Sequence, residues 1–198
     1  MNTYINCSLA LLALINPISK IFVISTLSVD SESREIRRIS LKASAIALGI
    51  LFLFAVVGNP LLQYVFHVNL YSFQIVGGLI LLFRGFQALN RGVFFELEAN
   101  QRLEDASIVP LASPMIAGPA TITAAVSFPA HYGMLPTLVA VFMAVFVNLV
   151  VMFYSKDISN LLGKFNIIGA LIRITGLMVA TIGVQMMLDG ITVYINQL

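Results

Sequence analysis

Two long stretches of this chain, residues 43–83 and 106–155, contain no Asp, Glu, Lys or Arg. A helix needs about 20 apolar residues to cross a hydrocarbon core of about 30 Å. Each stretch is therefore long enough for two crossings with a reversal between them. The first holds reversal signals at Gly58-Asn59-Pro60 and His67-Val68-Asn69, the second at Pro129-Ala130-His131-Tyr132-Gly133 and Pro136. Hydrophobic residues make up 59% of the 198 and charged ones 10%, against about 25% charged in a soluble domain. An ordinary soluble domain is excluded, and so is a disordered segment, which is poor in apolar residues. The net charge of +2 offers no basic face for nucleic acid. Cys7 is the single cysteine, so there is no internal disulfide and no thiolate cluster.

The twenty charges, 11 basic and 9 acidic, are clustered at Asp30–Lys42, Arg84–Asp105 and Lys156–Arg173, with Lys20 and Asp189 apart. Adding the first and last apolar segments gives six spans, at 4–27, 41–62, 70–90, 107–128, 136–155 and 168–188. They read as helices. A membrane barrel would alternate apolar and polar residues, whereas the run from Ile46 to Val57 is continuously apolar. A cleaved signal peptide is not expected, because Met1-Asn2-Thr3-Tyr4 carries no basic residue. Basic residues mark the cytoplasmic side. Arg34, Arg37, Arg38 and Lys42, then Arg91 and Arg102, then Lys156 and Lys164 fall in alternate loops. Loops 28–40, 91–106 and 156–167 are thus expected in the cytoplasm, with both chain ends outside a prokaryotic inner membrane.

The two halves repeat a pattern. Asn16-Pro17 through Ser25 in the first span superposes on Gly118-Pro119 through Ser127 in the fourth with a shift of 102 residues. Gly78, Gly85 and Gln87 in the third span superpose on Gly176, Gly183 and Gln185 in the sixth with a shift of 98. Three spans per half is an odd number, so the halves insert in opposite directions. The expected architecture is an all-α membrane domain of two inverted three-helix repeats, residues 1–90 and 107–198, joined by a cytoplasmic linker at 91–106. Inverted repeats with interrupted helices point to a secondary transporter.

Proline lacks an N–H and clashes with the preceding turn, so it kinks or breaks a helix. A kink that shapes packing is the blander reading of each proline. Breaks at Asn16-Pro17 and Gly118-Pro119 would instead expose half-helix N-termini within the membrane, where a carboxylate binds. Ser19, Thr121 and Thr123 would add neutral hydrogen-bonding groups. Gly77, Gly78 and Gly85, with Gly176 and Gly183, suit close helix packing. Gln87 and Gln185 are candidate wall or gate residues. Lys20, one turn beyond Pro17, either lines the cavity or snorkels to the interface. Arg84 and Arg173 read as interfacial anchors, and Asn148 as a polar contact between helices. No metal-ligand spacing, nucleotide-binding loop or hydrolase motif is present. No enzyme and no cofactor is expected, beyond a coupling proton or sodium ion.

Several of these segments resemble the MarC family of integral membrane proteins. They are Asn16-Pro17; Ile75-Val76-Gly77-Gly78-Leu79 with Gly85-Phe86; Pro110-Leu111-Ala112-Ser113-Pro114 running into Ala117-Gly118-Pro119-Ala120-Thr121-Ile122; and Arg173-Ile174-Thr175-Gly176 with Gly183-Val184-Gln185 and Asp189-Gly190-Ile191. The resemblance implies six spans and ion-coupled transport of glycine- or alanine-sized amino acids. The chain departs from the family pattern at Ala120, where Gly is usual, at Gln74, where a basic residue is common, and at Lys20. The expected function is alternating-access transport of a small neutral amino acid or similar small polar solute. A non-transporting assembly protein and a passive channel are the alternatives. The expected partners are the solute and the bilayer, with a homo-oligomer left open.

Overall fold

A computed structural model describes residues 2–27, 33–91, 116–164 and 168–197. Within them the chain is all helical: α1 (Asn2–Ile15), α2 (Pro17–Leu27), α3 (Ser33–Pro60) with a π-helical turn at Leu61–Val65, α4 (Leu70–Arg91), α5 (Pro119–Tyr132), α6 (Met134–Phe153), α7 (Ser155–Lys164) and α8 (Ile168–Ile195). Five stretches are long and apolar enough to cross a membrane: Thr3–Ile21, Arg34–Val65, Leu70–Asn90, Met134–Phe153 and Gly169–Ile195. The expected fourth span, 107–128, is described only from Ile116 onward, and the linker 91–106 lies outside the described residues apart from Arg91.

Three boundaries differ from the sequence-based expectation. Loop 28–40 is helical from Ser33, because α3 continues out of its apolar run into the charged segment. There Ile36 is buried while Arg34, Arg37 and Arg38 are exposed, the pattern of an amphipathic helix end. Of the two expected reversal signals after α3, His67-Val68-Asn69 makes the turn and Gly58-Asn59-Pro60 does not. The helix carries through Pro60 into the π-helical turn, and the chain turns at His67, whose φ is +53°. Loop 156–167 contains α7, a short helix that leads toward the start of α8. At the other end of α5, Pro129 is accommodated within the helix, and Gly133, at φ +90°, makes the turn into α6.

Small residues let the helices approach closely. Ala43, Ala47, Leu51 and Ala55 form one stripe of α3, all at most 2% exposed, where α3 packs against α5 and α6. Ala140, Ala144 and Asn148 lie buried on α6, and Asn148 Nδ2 donates to Met152 Sδ at 3.2 Å. Large apolar side chains such as Leu53, Phe83, Phe146 and Ile195 project outward, as a lipid-facing surface requires. The most extensive pairing is α4 with α8, while α1 packs on α6 and α5.

Candidate functional site

The first helix is interrupted at Asn16. Pro17 has no N–H to donate to the carbonyl one turn back, and it disfavours helical backbone in the residue before it. Asn16 takes φ +52°, a left-handed conformation that Asn tolerates better than most residues. Local hydrogen bonds hold the chain across the interruption. The Asn16 N–H donates to the Leu12 carbonyl at 2.9 Å, and the Ser19 N–H donates to the Asn16 carbonyl at 3.2 Å. The Ser19 hydroxyl donates to the same carbonyl at 2.8 Å. Asn16 Nδ2 is buried without a hydrogen-bond partner.

α5 begins at the second Xaa-Pro pair. Gly118 is its N-cap in extended conformation, with no side-chain cap, and Pro119 opens the helix. Proline suits the first helical position, where an N–H has no intrahelical partner. The N-termini of α2 and α5, 102 residues apart in sequence, border one cavity of about 100 Å³. This is small beside typical ligand pockets of roughly 300–1,000 Å³. Asn16, Ser19 and Lys20 line it from the start of α2, and Gly118, Pro119 and Thr121 from the start of α5. Ala120, in place of the glycine usual in the family pattern, is also on the wall.

Lys20 is 1% exposed. It does not reach for the membrane interface. Its ammonium turns back across the break and donates to the Ile15 carbonyl. Arg84, exposed near the end of its span as an anchor would be, also lines the cavity wall. Apolar Leu81 and Val179 complete the wall, and no acidic side chain lines it among the described residues. Arg84 and these apolar neighbours carry no distinguishing signal in the sequence, because what selects them is the crossing of α4 and α8 beside the starts of α2 and α5.

Other expected site residues lie elsewhere. Thr123 donates its hydroxyl to the Pro119 carbonyl at 2.8 Å, and its side chain fills the space beside Gly77, so closely that a Cβ there would collide with it. It serves packing and does not line the cavity. Gln87 is not on the cavity wall but accepts a hydrogen bond from Arg84 at 3.3 Å. Gln185 is exposed and donates to Asp189 Oδ1 at 2.7 Å, away from the cavity. Gln74 is buried and pairs with His131 at 3.0 Å.

The glycines meet at the α4–α8 crossing. A Cβ on Gly85 would lie 2.5 Å from the Gly176 carbonyl, and one on Gly183 would lie 2.6 Å from the Gly78 carbonyl. Backbone therefore touches backbone at Gly78 with Gly183 and at Gly85 with Gly176.

Several apolar helices of spanning length, packed through small residues with lipid-facing outer surfaces, define a multi-pass integral membrane protein. Within that class, the chain belongs to the MarC family of integral membrane proteins, whose family model matches residues 1–195. It is similar to a UPF0056 membrane protein of Pyrococcus horikoshii, 32% identical over 94% of this chain and 92% of the relative. A UPF0056 membrane protein of Aquifex aeolicus is also 32% identical, over 95% and 92%. The Bacillus subtilis UPF0056 membrane protein YvbG is 27% identical over 92% and 91%. No solved structure matches the chain.

Proposed function

We propose that this protein is a secondary transporter that moves a small solute bearing a carboxylate across the inner membrane by alternating access. The solute class includes glycine- and alanine-sized neutral amino acids and similar small polar solutes. The observation that carries this reading is that the N-terminus of α2, just after Asn16, and the N-terminus of α5, at Gly118-Pro119, border one small cavity. Helix N-termini aimed into a buried cavity bind anionic groups, and paired broken helices are a device of secondary transporters.

We include the inverted repeat in this reading. The 98-residue shift carries Gly78 to Gly176 and Gly85 to Gly183. The observed contacts join Gly78 to Gly183 and Gly85 to Gly176, so the shift exchanges the partners within the crossing. Such reciprocity is what a two-fold relation between helices produces. Both chain ends face outward, and transport is coupled to protons or sodium. No catalysis, resident cofactor or nucleic-acid partner belongs to this function.

The test is uptake of labelled small carboxylate solutes, glycine and alanine among them, into proteoliposomes with and without an ion gradient. Saturable, gradient-driven uptake is expected. Replacing Gly118 and Pro119 together by leucine should abolish it while leaving membrane insertion intact, and full activity in that variant would overturn the broken-helix mechanism. Unsaturable flux would make the protein a channel. Absence of flux from folded protein would leave an assembly role.

A further inference from the structure

We propose that the cavity selects a small carboxylate anion over the zwitterion of the same shape, because Lys20 takes the place that a substrate ammonium would occupy. The location rests on the carrier reading above, but the selectivity rests on separate observations. An interrupted helix offers two poles: carbonyls at the end of its first half, and N–H groups at the start of its second. A zwitterionic amino acid needs both, an acceptor pole for its ammonium and a donor pole for its carboxylate. In this chain the acceptor nearest Lys20 is engaged, and so are two of its neighbours. The Leu12 carbonyl takes the Asn16 N–H at 2.9 Å, the Ile15 carbonyl takes the Lys20 ammonium, and the Asn16 carbonyl takes the Ser19 hydroxyl at 2.8 Å.

The cavity wall also carries donors and positive charge, beside the hydroxyls of Ser19 and Thr121. Asn16 is 5% exposed, lines the cavity, and its Nδ2 has no partner. The Lys20 ammonium carries three N–H bonds, and the Ile15 carbonyl takes one of them. The first N–H groups of α5 have no partner within their helix. Arg84 adds a second cation to the wall, and no acidic side chain lines the cavity among the described residues. A ligand ammonium here would compete with Lys20 for the Ile15 carbonyl on a wall that also carries Arg84, and a buried charge without a partner is strongly disfavoured. A hydroxyl in the same position carries no charge and accepts from Lys20.

Two pairs of solutes isolate this difference: glycine with glycolate, and alanine with lactate. Half-saturation for uptake into proteoliposomes is measured for all four, alongside the rise in melting temperature that each produces in detergent, for wild type and Lys20→Met. Wild type should favour glycolate and lactate at least roughly tenfold over their amino-acid partners, the ratio that about 1.4 kcal/mol produces. Lys20→Met frees the Ile15 carbonyl and should erase most of that preference. If the variant does not fold, the wild-type ratio alone decides. Equal or better uptake of glycine and alanine by wild type, or an unchanged ratio in folded Lys20→Met, would overturn the selectivity and leave the carrier reading intact. Glycolate and lactate that raise the melting temperature without crossing the membrane would support the selectivity and remove the carrier reading. Four solutes that neither bind nor move would overturn both.

Discussion

Asn16 combines two jobs that substitution can separate. Its backbone sits at φ +52°, and its side chain presents an unpartnered donor to the cavity. Asn16→Gly keeps the backbone conformation and removes the donor, so it should fold normally and lose roughly tenfold in uptake, the loss expected of a hydrogen bond to a charged group. Asn16→Val forces a β-branched residue into left-handed conformation and should cost about 1–2 kcal/mol of stability, read as a lower melting temperature in detergent. Gln87 acts one contact further out. Its hydrogen bond to Arg84 is exposed and contributes about 0.5–1 kcal/mol. Gln87→Ala should therefore raise half-saturation by a factor of about three, with little change in maximal rate. The two Xaa-Pro pairs were legible in the sequence because proline's effect on backbone is local. The placement of Arg84 was not, because a residue near a span end reads as an anchor until the neighbouring helices are known.

The helices α4 and α8 meet through glycine, and the tolerance of each glycine depends on what lies over it. A Cβ at Gly85 would press on the backbone of Gly176 and Ala180, which cannot move aside as a flexible side chain can. Gly85→Ala should destabilise by about 1–3 kcal/mol, the usual cost of overpacking. On α3, an added methyl at Gly49 would meet nothing within 4 Å. Gly49→Ala should be neutral, or stabilising by about 0.5–1 kcal/mol through helix propensity. Thermal unfolding of the two variants in detergent checks both. At this scale the apolar runs located the long helices well, with 70–90 expected and Leu70–Arg91 found. Ends were less legible. The charges of Arg34 to Lys42 argued for a loop, yet a helix accepts them when its exposed side projects beyond the apolar layer. Gly58-Asn59-Pro60 looked like a turn, but proline at the final position of a helix need not end the helical path, and the chain runs on to His67.

For the whole molecule the sharpest expectation is its sidedness. Cys7 is the single cysteine and is buried, so engineered cysteines report cleanly. Asn69→Cys and Gln197→Cys should react with an impermeant maleimide on intact cells, and Arg37→Cys only after permeabilisation. The reverse pattern would overturn the proposed topology. The closeness of α4 to α8 has one more consequence. Gly78 and Gly85 are seven residues apart, roughly 10 Å along the axis, and only glycine lets the two backbones touch. A slide along the seam must travel that whole interval before glycine meets glycine again, and at every step between a side chain would meet backbone. The crossing therefore works as a register lock, holding α4 and α8 against slipping along each other.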